Sequence, residues 1–158
     1  MAGRRIGAAA IMAWALGMPP APAATLREAV LAPAGTVSGE QVDLTVEQAF
    51  YPNLPAKRSC RLEIYAVNRT GRHVGLHALI STRDGNSREV DSWLVPTGEM
   101  SPGAEVKRVY SCDKAASIEI MRTTPFGWPK TCNVDGTDVS PCPIALHVTS
   151  SLAFSDSK

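Results

Sequence analysis

The sequence has no surplus of either charge, no long apolar run beyond its first residues, and no closely spaced pair of cysteines. Its 16 Lys and Arg stand against 15 Asp and Glu, so nothing draws the chain to nucleic acid from a distance. No segment after the N-terminus reaches the ~18 apolar residues of a membrane-crossing helix, and no membrane span is expected. A structural zinc site uses Cys-x2–4-Cys pairs, and none occurs. There is no Gly-x-Ser-x-Gly elbow and no glycine-rich phosphate loop opening a helix. Helical periodicity is nowhere sustained past the N-terminus, and no internal repeat is visible.

What is present starts with MAGRRIGAAAIMAWALGMPPAPAA. Arg4 and Arg5 precede an apolar stretch over residues 6–18, and the small-residue site Ala21-Pro22-Ala23 follows. That order reads as a secretory signal peptide over residues 1–23. A single β domain over residues 24–154 and a polar tail over 155–158 complete the expected organisation, in the periplasm or outside the cell. No cysteine sits just after the cleavage region, so no lipid anchor is expected there. Cleavage removes two arginines and no acid, leaving 14 basic against 15 acidic residues.

The mature chain alternates at period two, the spacing of a half-buried strand. Val42, Leu44 and Val46 oppose Asp43, Thr45 and Glu47. Cys60, Leu62, Ile64 and Ala66 share one face, and Val74, Leu76, Ala78 and Ile80 another, with residues 68–72 turning between them. "STRDGN", residues 81–86, sets an Asp-Gly pair before a returning arm at 90–95, which predicts a hairpin. Residues 97–103, with Pro102 and two glycines, are expected to break the chain. Short strands are predicted over 106–112 and 117–121, and a last one where Ile144, Leu146 and Val148 alternate with Ala145, His147 and Thr149. Residues 25–32 fit one helical turn or a first strand. Seven or eight strands with a turn about every 10 residues describe an all-β fold, an antiparallel immunoglobulin-like sandwich, with a small barrel as the alternative.

Four cysteines in an exported domain predict two disulfides. Cys132 and Cys142 enclose the loop "CNVDGTDVSPC", in which Asp135-Gly136 is a natural turn. Cys60 and Cys112 both fall on strands, and a link between sheets is expected of them. Asn133, Asp135 and Asp138 in the same loop are oxygen donors that calcium would accept, but the terminal Glu and twelve-residue register of an EF-hand are missing. A stapled hairpin is the reading preferred over a metal cradle.

His73, His77 and His147 all fall on the polar sides of their strands. If those strands were neighbours the three rings would gather into a copper or zinc site, with Met100 or Met121 as soft donors. Solvated histidines are the plainer reading. A hydrolase would have to assemble its site from scattered groups such as Asp84, Glu89, Asp91, Glu99 and His77, so no catalytic residue is assigned and no cofactor is expected. Phe126 and Trp128, set between Pro125 and Pro129, are candidate partner-contact residues on a stiff loop or else rings folded back over the core. Trp93 is expected in the core, and the Asn68-Arg69-Thr70 sequon is expected to be idle.

From residue 61 to 120 the order "LEIYAVNRTGRHV", "ALISTRDG", "WLVPTGEMSPGAEVKRVYSC" resembles the FxLYD-type domains. These are small immunoglobulin-like modules of exported bacterial proteins, with Asn68, Thr70, Asp84, Gly85, Pro102 and Gly103 as the matching positions. The aromatic and tyrosine that such domains carry ahead of the Asp-Gly pair are replaced here by "LISTR". The resemblance implies an accessory role without enzymatic activity. The expected function is therefore a non-catalytic envelope protein that binds a protein or envelope component.

Overall fold

Alternation becomes structure in a computed structural model that describes residues 26–32, 36, 39–55, 59–121 and 131–155. Residues 1–23, expected to be a signal peptide, residues 122–130 with Phe126 and Trp128, and the residues from 156 on lie outside the described residues. The described residues form eleven strands: β1 (Arg27–Leu31), β2 (Gln41–Phe50), β3 (Cys60–Asn68), β4 (Val74–Arg83), β5 (Glu89–Met100), β6 (Glu105–Ser111), β7 (Ser117–Ile120), β8 (Cys132–Val134), β9 (Thr137–Val139), β10 (Ala145–Ser150) and β11 (Ala153–Phe154). One sheet has the order β1-β10-β2-β3-β6. The other runs β11-β7-β4-β8-β9, with β5 on the free side of β4.

Two parts of the sequence expectation are corrected. Among the described residues there are eleven strands instead of seven or eight, because short pairings such as β8, β9 and β11 carry too few residues to show a period. Pairing is also mixed: β10 runs parallel to β2, and β11 parallel to β7. The ambiguous stretch at 25–32 resolves as the edge strand β1, paired antiparallel with β10.

Inward-facing residues of both sheets form one core. Leu44 and Val46 on β2, Leu62 and Ile64 on β3, and Leu146 on β10 meet Leu76 and Ile80 on β4 and Ile118 on β7. Burying each such side chain contributes about 1.5–3 kcal/mol. Trp93 is half-buried at the rim of this core, its ring centroid 5.4 Å from that of Tyr110.

β5 and β6 are edge strands of different sheets, and side chains join them. Tyr110 Oη donates to the Leu94 carbonyl oxygen at 3.3 Å, and Arg108 Nε to that of Pro96 at 3.1 Å. Exposed edges invite pairing with other chains, and these contacts blunt one of them.

The predicted break at 97–103 is only half right. Residues 97–100 belong to β5, and the strand survives its proline and glycine by bulging between Leu76 and His77 of the partner strand. Thr97 Oγ1 accepts from the Leu76 N–H at 3.0 Å, replacing a lost ladder bond, while Gly98 takes a φ of 69° that favours glycine.

Asn68 is fully buried where β3 ends. Its Nδ2 donates to the carbonyl oxygens of Arg72 (2.7 Å) and Met100 (2.9 Å), and its Oδ1 accepts from Thr70 N (2.9 Å) and Thr70 Oγ1 (2.8 Å). The Gly103 amide donates to the Asn68 backbone oxygen at 2.9 Å. The sequon is thus a corner brace, with no room for a glycan in the folded chain.

Both disulfides form as paired from the sequence. The expected sheet-to-sheet role of Cys60–Cys112 is corrected: β3 and β6 are neighbours in one sheet, and Cys112 follows β6 directly with its amide donating to the Cys60 oxygen at 3.3 Å. The bridge ties two adjacent strands at their ends.

Candidate functional site

The hairpin of β8 and β9 turns on Asp135 and Gly136, both at positive φ (51° and 80°), as a two-residue turn requires. Cys132–Cys142 staples the hairpin to the chain leaving it. Asp135 accepts from the His73 N–H (3.0 Å) and from Arg72 Nε (2.8 Å). The Arg72 bond, then the His73 bond, hold its carboxyl below the usual range. Asn133 Nδ2 donates to Asp138 Oδ1 at 3.1 Å, and Asn133 Oδ1 accepts from the Gly136 N–H at 2.9 Å. The loop that raised the choice between staple and cradle is therefore a stapled hairpin whose acids hold the turn and its neighbours.

Pairing registers align four residues in a row across this sheet: Glu99 on β5 opposite Gly75 on β4, Gly75 opposite Asn133 on β8, and Asn133 opposite Asp138 on β9. Three carry polar side chains and the second carries none. Along β4, His77 lies two residues beyond Gly75, on the same face by strand alternation. The gap opens as a groove of about 590 Å³ lined by Gly75, His77, Gly98, Glu99, Asn133 and Asp138 among others. Its floor is backbone: a Cβ at Gly75 would lie 3.1 Å from the Gly98 oxygen.

The histidines are not brought together. His73 Nδ1 lies 3.5 Å from Glu99 Oε1, and His77 is exposed beside the groove. His147 is in β10 of the other sheet, so the strand adjacency that a joint copper or zinc site needs is not met. Its Nε2 meets Glu28 and its Nδ1 lies 3.3 Å from Asp43. Met100 is buried in the core, and Met121 Sδ accepts from Ser81 Oγ at 3.8 Å, so neither sulfur accompanies a histidine. Among the described residues no three His, Cys, Asp or Glu side chains are grouped to hold a metal ion.

The scattered acids are also apart. Asp91 pairs with Thr82 while His77 pairs with Pro96 farther along β5, and Asp84 caps its own hairpin by accepting from the N–H groups of Asn86 and Arg88. The Glu63 carboxylate, nearly buried, accepts from Lys107 Nζ (2.8 Å), Tyr51 Oη (2.6 Å) and Tyr65 Oη (2.6 Å). Those three donors, Lys107 foremost, bring it down to about 2. A carboxylate so committed braces the outer face of the first sheet and is not a proton shuttle.

The groove leaves no mark in the pattern of side chains, because it is made by the lack of one. The available signal was His73-x-Gly75-x-His77, a glycine at the centre of a period-two polar face.

No protein-family model and no curated protein matches this chain. Among solved structures, IrmA from Escherichia coli aligns with 64% of this chain and 84% of its own at 12% identity, with a TM-score of 0.41. A likeness at that level says nothing about function.

Proposed function

We propose that this chain is an exported, non-catalytic β-sandwich of immunoglobulin-like plan, akin to the FxLYD-type modules, that binds a component of the bacterial envelope through the groove over Gly75. The observation that carries this reading is the cross-strand row Glu99, Gly75, Asn133, Asp138, a polar face with its central side chain left out beside a disulfide-stapled wall. Small sites of this kind are concave, preformed and set with a few polar groups. Export is supported by the signal-like order at the N-terminus and by two disulfides, which persist in oxidising compartments. Among the described residues no helix is long and apolar enough to cross a membrane.

Fractionation with mass spectrometry of the N-terminus tests export: the exported form should start near residue 24, and a full-length chain retained in the cytoplasm would overturn it. Capture from the envelope fraction tests the surface. Asn133→Tyr, which fills the groove, should abolish capture that the distant Asp84→Asn variant retains. Loss with Trp128→Ala alone would move the contact to residues 122–130.

A further inference from the structure

Among the described residues three strands of five residues or more form an open edge: β1 and β6 in the first sheet and β5 in the second. Two of them are guarded against further pairing. On β5 the carbonyl oxygens of Leu94 and Pro96 accept from Tyr110 Oη and Arg108 Nε, the Ser92 N–H donates to Asp91 Oδ1 at 3.0 Å, and Pro96 has no N–H to offer. On β6 the Lys107 carbonyl oxygen accepts from Arg108 Nη1 at 3.1 Å, and Glu105, Lys107 and Arg108 set charge along the strand. Proline, charge and capped backbone groups are the means by which an edge avoids a new neighbour.

β1 is built differently. It has no proline and no bulge, and among the described residues no side chain is bonded to its backbone. Its one acid, Glu28, is engaged by His147 on β10. What its outer face leaves in solvent is apolar: Val30 is 63% exposed, and Leu26, just before the strand and on the same face, is 51% exposed. Arg27, on the opposite face with the buried Leu31, is exposed and is the charge this edge presents.

A bare strand edge offers a row of backbone donors and acceptors, which an extended chain matches and a helix does not. A second copy is a poor occupant. Five residues make an edge about 17 Å long and about 10 Å thick, far short of the ~800 Å² a side of a stable interface between copies. A single added strand needs no more than that edge.

We infer that the free edge of β1 takes an extended segment of another polypeptide as a sixth strand of the first sheet, with apolar residues beside Leu26 and Val30 and an acid facing Arg27. This surface lies in the other sheet from the groove over Gly75 and is independent of it.

The test is an amide-shift NMR titration of the exported protein with an N-acetylated octapeptide of alternating valine and threonine that carries one aspartate. A saturable shift confined to β1 and its neighbour β10 is expected. The same peptide N-methylated at every backbone amide cannot donate to the edge and should bind roughly tenfold more weakly or worse. Val30→Lys, at an exposed position that puts charge on the edge, should weaken binding roughly tenfold or more. Arg27→Glu should weaken it too, and a peptide with lysine in place of the aspartate should recover the loss.

No saturable shift, a shift centred elsewhere, equal binding by the N-methylated peptide, or undiminished binding by Val30→Lys would overturn the inference. So would a wild type that sediments as a dimer beside a Val30→Lys variant that sediments as a monomer, which would give the edge to a second copy. In envelope capture, loss with Val30→Lys and retention with Asn133→Tyr supports this edge. The reverse pattern leaves the groove reading standing and the added strand fallen.

Discussion

The side-chain amide of Asn68 donates to the carbonyl oxygen of Met100 at 2.9 Å, across 32 residues of chain. That bond, with those to Arg72 and Thr70, ties the end of β3 to the loop after it and to the end of β5.

Asn68→Ala should therefore cost about 2–4 kcal/mol, because it takes the Asn68 donor from the buried Met100 carbonyl oxygen in addition to deleting the bonds to Arg72 and Thr70. Asn68→Asp should be nearly as damaging, since a carboxylate cannot donate to Arg72 and Met100. Urea denaturation checks both, with an unchanged slope and a lowered midpoint as the expected result.

The two disulfides should separate stability from binding. Cys60–Cys112 spans 52 residues and Cys132–Cys142 spans 10. On chain-entropy grounds, which are debated, their removal costs about 4 and about 3 kcal/mol respectively. Replacing Cys60 and Cys112 by Ala should lower the melting midpoint more, while replacing Cys132 and Cys142 should cost more affinity in the capture assay, because that bridge holds the groove wall.

Acid should act through Glu63. Its carboxyl is held at about 2 against an ordinary 4.5, first by Lys107 and then by Tyr51 and Tyr65. A depressed value in the fold means stabilisation present above about pH 4.5 and lost as the pH falls toward about 2. Glu63→Gln should be less stable than wild type at neutral pH and should lose less stability over that acid range, as followed by denaturant midpoints.

Base should act through His147. The bond to Glu28 raises its imidazole, burial opposes, and Asp43 adds to the rise. A raised value in the fold means stabilisation fully present below about pH 6.5 and lost as the pH climbs through the folded value. Asp43 is itself paired with Arg69 at 2.8 Å, so it keeps its charge as His147 loses its own. The advantage of wild type over His147→Gln should shrink as the pH climbs above about 6.5. Hydrogen exchange should place the loss in β1, which His147 reaches through Glu28.

Much of the fold was legible because inward residues need only be apolar at every second position. Val42, Leu44 and Val46, and Leu76, Ala78 and Ile80, are buried as their alternation predicts. The hairpin after Arg83 forms where expected, although its left-handed residue is Ser87 and not Gly85. The cysteine partners were readable from their place along the strands. The groove was not, since Glu99 and Asn133 lie far apart in the chain and meet across Gly75 only through two pairing registers.

What the sequence determined by itself is an all-β chain with two disulfides, because period-two apolarity has one stable outcome in water and four cysteines had one economical pairing. Tertiary structure decided which strands became neighbours, including the parallel β2 and β10, and so which polar residues share a face. The reason is physical: strand pairing is made by backbone N–H and C=O groups that nearly every residue supplies alike, so the residue letters carry little of that choice.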